Sequence, residues 1–207
     1  MSSCCGSTIA SARRVVLVRR VRLLVAATIT YNVIEAVVAL TAGTIASSTA
    51  LIAFGLDSII EVASATAVAW QFSSSDHESR ERVALRVIAV SFFALAAYVA
   101  VESVRTLVGG EAADHSPIGI ALAAVSLTVM PFLSLAQRRA GRELGSASAV
   151  ADSKQTWLCT WLSAVLLIGL LLNSTLHWWW ADPAAALIIA AAAVREGREA
   201  WRGNHCC

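Results

Sequence analysis

The chain has 207 residues, 57% of them apolar and only 14% charged, with a formal net charge of +2 and a mean hydropathy of +0.69. Soluble domains carry about 25% charged residues and about 45–50% apolar ones, so a cytosolic enzyme, a secreted disulfide scaffold and a nucleic-acid-binding domain are all disfavoured. Six apolar runs of roughly 20 residues would use about 120 positions, which leaves only tails and connections. The predicted fold class is an all-α membrane protein with six transmembrane helices and both termini cytoplasmic.

The first predicted span, roughly Leu23 to Ala42, follows an arginine-rich start: Arg13, Arg14, Arg19, Arg20 and Arg22. That start resembles a signal peptide, but the apolar run behind it is too long and lacks a small-residue cleavage pattern. A short turn over Gly43 to Ser48 leads to span two, about Thr49 to Phe72, which ends at the polar stretch Ser73 to Glu78. Span three, roughly Val83 to Val108, closes at Gly109-Gly110. Span four, about Ile118 to Ala136, holds Pro131 near its inner end, where a kink is expected. A loop over Gln137 to Ala151 precedes span five, roughly Asp152 to Leu172. Span six, about Pro183 to Val194, is short, with Trp178-Trp179-Trp180 ahead of it as an aromatic belt. The Ala run at 190–193 offers a small-residue surface for close packing.

All of the sixteen Lys and Arg except Arg105 and Lys154 fall on one side of this arrangement. Cations near span ends stay in the cytoplasm, so the expected organisation is a cytoplasmic N-terminal tail (1–22), a six-helix transmembrane domain (23–194) and a cytoplasmic C-terminal tail (195–207). The expected location is the cell membrane.

Ionisable groups inside a bilayer cost at least about 2.5–3.5 kcal/mol and are functional candidates by default. Asp57 and Glu61 are the sharpest pair, because a separation of four sets both carboxylates on one helix face, one turn apart. Anions so close repel, so either a proton or a cation must neutralise them; the alternative is a pair hydrogen-bonded to neighbouring helices for packing. In span five, Asp152, Gln155, Cys159 and Ser163 follow spacings of three, four and four and form one polar stripe. Cys159 could offer a soft thiolate and Gln155 an oxygen, completing a four-ligand shell with Asp57 and Glu61; the alternative for a membrane Cys is a small apolar filler. In span one, Asn32 and Glu35 face together, either as an outer stage on an ion path or as a hydrogen-bonded brace. Glu102 with Arg105 reads as an intrahelical ion pair, and Asp182 ahead of Pro183 as the cap of span six.

Cys4-Cys5 and His205-Cys206-Cys207 stand at the two chain ends, on the expected reducing side. They are either thiols that collect a soft cation, incidental thiols, or S-acylation sites. His77, His115 and His177 fall in predicted loops. No paired metal-ligand histidines occur within a span and no nucleophile–base pairing stands out, so an enzyme is not expected.

Three segments resemble the cation diffusion facilitator family of divalent metal transporters. Gly55-Leu56-Asp57-Ser58-Ile59-Ile60-Glu61 is similar to its second-helix motif, with two carboxylates four apart. Ala151-Asp152-Ser153-Lys154-Gln155-Thr156-Trp157-Leu158-Cys159 resembles its fifth-helix Ala-Asp-x-x-His-x-x-x-Asp pattern, and Trp180-Ala181-Asp182-Pro183 the Asp-Pro opening of its sixth helix. The resemblance, to a short form lacking the cytoplasmic C-terminal domain, implies divalent-cation efflux from the cytoplasm in exchange for protons by alternating access. It implies Asp57 and Glu61 as ligands, with Gln155 at the usual His position and Cys159 at the usual Asp position. Cys in place of Asp softens the site towards zinc or cadmium and away from manganese or magnesium, while Gln in place of His removes a titrating group. The metal is then transported substrate, with no cofactor; the partners are metal ions, protons, the lipid bilayer and a second copy in a homodimer. The competing expectation is a non-transporting metal sensor that binds through the terminal Cys and His residues.

Overall fold

A computed structural model describes residues 11–71, 77–109, 113–144 and 147–202, with side chains described throughout except at 11–15, 67–69, 71, 77–85, 87–88, 144, 147–149, 151–152 and 155. Within them the chain forms six helices: α1 (Ser11–Ile45), α2 (Thr49–Gln71), α3 (His77–Gly109), α4 (Pro117–Leu144), α5 (Ala147–Leu176) and α6 (Ala181–Arg202). The all-helical six-element architecture matches the expectation. The element bounds do not. The 35 residues of α1 rise about 50 Å, well beyond the roughly 30 Å of hydrocarbon. Helix therefore continues into the segments read as tails, and α4 and α5 absorb nearly all of the loop expected over Gln137 to Ala151. Once a helix is nucleated, each further residue adds a hydrogen bond at little cost, so the apolar run marks where the helix meets lipid and not where it stops. Pro131 lies inside α4 without ending it.

Five helices contain stretches long and apolar enough to cross a bilayer: Val16–Ile45, Thr49–Thr66, Ala89–Gly109, Pro117–Glu143 and Thr156–Leu176. The sixth predicted span departs from this standard, because the apolar stretch of α6 breaks at Arg195. Its small side chains instead bury it against its neighbours, through Ala185, Ala186, Ile189, Ala190 and Ala193.

The principal helix neighbours are α1 with α2, α4 with α5, and α3 with α6. Contacts of α1 with α4 and of α2 with α5 close the first two pairs on each other, while α2 and α5 also touch α6. The side-chain pattern differs from that of a soluble bundle, with an apolar exterior and polar side chains set into an apolar core. Leu23, Ile34, Val37, Val104, Phe132 and Ile168 point outward. Thr28, Asn32, Glu35, Ser58, Glu61, Ser126 and Ser163 are buried within. In lipid there is no hydrophobic drive to bury the first set, and strong reason to shield the second.

The turn from α1 to α2 is held tightly. Ser48 N donates to Gly43 O at 2.9 Å and Ala46 N to Ala42 O at 3.0 Å, with Ser47 in the left-handed region at φ 51. A Cβ on Gly43 would sit 2.9 Å from the backbone nitrogen of Ile52, an atom that cannot swing aside. Gly43→Ala is accordingly expected to destabilise the fold by about 1–3 kcal/mol. Thermal unfolding in detergent checks this, and an unchanged midpoint refutes it.

At the same end of the bundle, Asp114 N donates to Ala46 O at 2.8 Å and Asn173 Nδ2 to Ala113 O at 2.8 Å. The α1–α2, α3–α4 and α5–α6 connections thus gather at one end, opposite the start of α1 and the end of α6. The Glu102–Arg105 ion pair forms as expected, at 3.0 Å within α3. Cys4, Cys5, His205, Cys206 and Cys207 lie outside the described residues.

Candidate metal centre

Four groups that can bind a cation are buried where α1, α2 and α5 meet: Glu35, Glu61 and Cys159 at 1% exposure each and Asp57 at 5%. Asp57 and Glu61 share a face because α2 runs unbroken through both. Cys159 arrives from α5, and its sulfur lies 4.0 Å from Glu35 Oε2. The thiol also faces Glu61 and stands within electrostatic reach of Asp57. Asp57 feels the charge of Glu35 in turn.

Hydroxyls line the same spot. Ser58 Oγ, between the two α2 carboxylates in sequence, donates to Glu35 Oε2 at 2.9 Å, with Phe54 O as its alternative acceptor at 3.1 Å. The hydroxyls of Tyr31 and Ser126 stand beside the Glu35 carboxylate, although neither closes a hydrogen bond of good geometry to its second oxygen. Three carboxylates, one thiol and three hydroxyls therefore lie buried in one neighbourhood. Such a set suits a divalent cation of borderline softness, and it also offers carboxylates to protons when the cation is gone. Among the described residues, no three His, Cys, Asp or Glu side chains stand close enough to form a ready-made metal cage.

The other site residues expected from sequence divide. Asp152 and Gln155 lie on α5, but their side chains are outside the described residues. Ser163 Oγ returns to its own helix, donating to Cys159 O at 2.7 Å. Asn32 is fully buried one turn from Glu35, with Nδ2 donating to Thr28 O at 3.1 Å. Gln137 Nε2 donates to Thr28 Oγ1 at 3.0 Å from α4, so hydrogen bonds join Gln137, Thr28 and Asn32 in a polar column that ends one turn from Glu35.

Sequence reasoning missed Tyr31, Ser58, Ser126 and Glu196. Tyr31 had a signal, since it precedes Glu35 by four and shares its face. Ser58 lay inside the quoted second-helix motif. Ser126 and Glu196 had none: Glu196 sits in the charged run Arg195 to Glu199, yet its half-buried carboxylate reaches Asp57 electrostatically and has Lys154 nearby.

Asp182 requires a correction. Its Oδ1 accepts a short hydrogen bond from Ser48 Oγ, and its Oδ2 accepts from Ala50 N at 3.3 Å. Ser48 Oγ accepts from Leu51 N at 3.1 Å. The Asp-Pro carboxylate thus caps the start of α2 across the bundle, not its own helix. Free amides at the start of α2 are the nearer unsatisfied donors.

The six-helix frame agrees with one family model, the cation efflux transmembrane domain, which matches residues 25–202. The chain belongs to the cation efflux family. No curated protein matches it. Membership makes this cation efflux protein a multi-pass integral membrane transporter of metal cations. The matched span contains every residue of the central cluster.

Proposed function

We propose that this cation efflux protein exports Zn²⁺ or Cd²⁺ from the cytoplasm in exchange for protons, by alternating access to a site built on Asp57, Glu61 and Cys159. The observation that supports this most is the burial of three carboxylates and a thiol near one another. Three like charges in an apolar core are tolerable only when a cation or protons neutralise them. A metal ion and protons competing for the same oxygens is what exchange requires. Glu35, hydrogen-bonded by Ser58, is assigned as the carboxylate that completes the site from α1, with Asn32 as its neighbour in the polar column. Asp152 and Gln155 are proposed as the contribution of α5 beside Cys159. The site acts in each copy of a homodimer in the cell membrane, and the terminal Cys and His residues collect the ion before it enters.

Binding draws these side chains together around the ion, displacing protons. A helix rearrangement then opens the site to the other side, where protons recapture the carboxylates and release the cargo. The test is uptake into proteoliposomes across Zn²⁺, Cd²⁺, Mn²⁺ and Mg²⁺, with and without an acidic interior. Zn²⁺ and Cd²⁺ are expected to move, faster into acidic vesicles, with Mn²⁺ and Mg²⁺ far behind. Cys159→Asp is expected to narrow the Cd²⁺-over-Mn²⁺ preference roughly tenfold, because a hard oxygen replaces a soft sulfur. Flux indifferent to the proton gradient refutes exchange, and absence of flux for all four ions refutes transport of these metals.

A further inference from the structure

The bundle end that gathers the three connections carries a feature that the central cluster does not use. His115, from the α3–α4 connection, and His177, from the α5–α6 connection, bring their rings together with centroids 5.4 Å apart and planes at 82°. Both side chains are exposed. Far apart in the chain, they meet because their loops are anchored on either side of the pair. Asn173 ties the end of α5 to Ala113, two residues before His115, and Asp114 N is bonded to Ala46 O in the first turn. On the other side, His177 holds a φ of 54 and its carbonyl accepts from Trp179 N at 3.1 Å. The α6 start that follows is fixed through Asp182 on Ser48 and Ala50. The pair is therefore set by backbone anchors, not by a chance crossing of two free loops.

The spacing has chemical meaning. Two imidazoles sharing one tetrahedral ion, each nitrogen about 2 Å from the metal, hold their ring centroids about 5 Å apart. The rings already stand at that separation, and exposed side chains turn about their terminal torsion at little cost. Edge-to-face contact between two aromatic rings is the alternative explanation of the same geometry, and the two differ in what they bind.

We propose that His115 and His177 form a second metal site, on the end of the bundle that gathers the three connections, that takes an imidazole-seeking divalent ion such as Ni²⁺, Cu²⁺ or Zn²⁺, with water filling the remaining positions. Neutral imidazole selects these ions over Mg²⁺ or Ca²⁺. With two protein ligands, the site holds its ion more weakly than a structural four-ligand centre and leaves it open to exchange with the surrounding solution. This site does not depend on the central cluster or on which ion that cluster moves.

The experiment is Cu²⁺ titration of the full-length protein in detergent, read by electron paramagnetic resonance, for the unmodified chain, His115→Ala, His177→Ala and the double variant. A shared site predicts a signal split by two imidazole nitrogens in the unmodified protein. Either single variant is expected to weaken that component at least tenfold, and the double variant to weaken it no further than the singles. All variants are expected to keep the unmodified thermal midpoint, since both side chains are exposed. A two-nitrogen signal that survives in the double variant overturns the proposal, as does loss that is additive between the singles, the mark of two independent surface histidines. Asp57→Asn run in parallel separates this site from the central one: the two-imidazole signal is expected to remain there unchanged, and its loss in that variant also overturns the assignment.

Discussion

Asp57→Asn and Glu61→Gln are each expected to cut metal flux into proteoliposomes at least about 100-fold, a loss larger than the 10–100-fold typical of residues that merely orient a ligand. Both replacements keep the shape of the side chain and remove its charge. In the metal-bound state that removes a direct, charge-assisted contact to a doubly positive ion. In the empty state the sign reverses, because each carboxylate is buried one turn from the other and both face Glu35 or Cys159. Deleting one anion relieves repulsion and desolvation cost together. The same variants are therefore expected to unfold at an equal or higher temperature than the unmodified protein. Lost flux with retained or raised stability is a signature that general misfolding cannot produce. Normal flux in the Asp57→Asn, Glu61→Gln double variant sinks the proposed site.

The second large effect is on stability. Asp182→Ala is expected to destabilise the bundle by about 2–3 kcal/mol, combining loss of a helix cap with stranding of buried donors. Ser48 Oγ and Ala50 N both lose their acceptor, and Ser48 is itself the group that receives Leu51 N. Asp182→Asn retains an oxygen acceptor and is expected to cost less than half as much. Thermal unfolding of the purified protein in detergent distinguishes the two. Equal midpoints for the alanine variant and the unmodified chain would place Asp182 outside the stability of α2.

The contrast between these two acidic positions shows what a sequence makes legible. Asp57 and Glu61 announce themselves through a local rule, a spacing of four on one apolar helix, and the structure keeps them on one face. Asp182 also obeys a local rule, an acidic residue ahead of Pro183, yet the rule assigns it to the wrong helix. Its partners, Ser48 and Ala50, lie on the far side of the chain, and nothing in the neighbourhood of residue 182 encodes them. Glu35 was visible as a costly charge, whereas the hydroxyls around it come from α1, α2 and α4 and leave no local trace beyond Tyr31. The number of helices was legible because six apolar runs are separated by polar stretches. Their lengths were not, because helices such as α1 continue past the lipid on arginine-bearing turns that look like tail. His115 and His177, each unremarkable within its own loop, gain significance only from a meeting that tertiary structure creates.

The hydrogen bonds from Asp114 to Ala46 and from Asn173 to Ala113 have a mechanical consequence. They fasten three hairpin tips into a single plate, so a pull on any one tip is shared by the other two. Each such bond contributes about 1 kcal/mol net, so the cost of parting both lowers the population of a split plate roughly thirtyfold. Motion that widens the bundle on that side is thereby steered away from the tips and into the bending of the helix shafts beneath them.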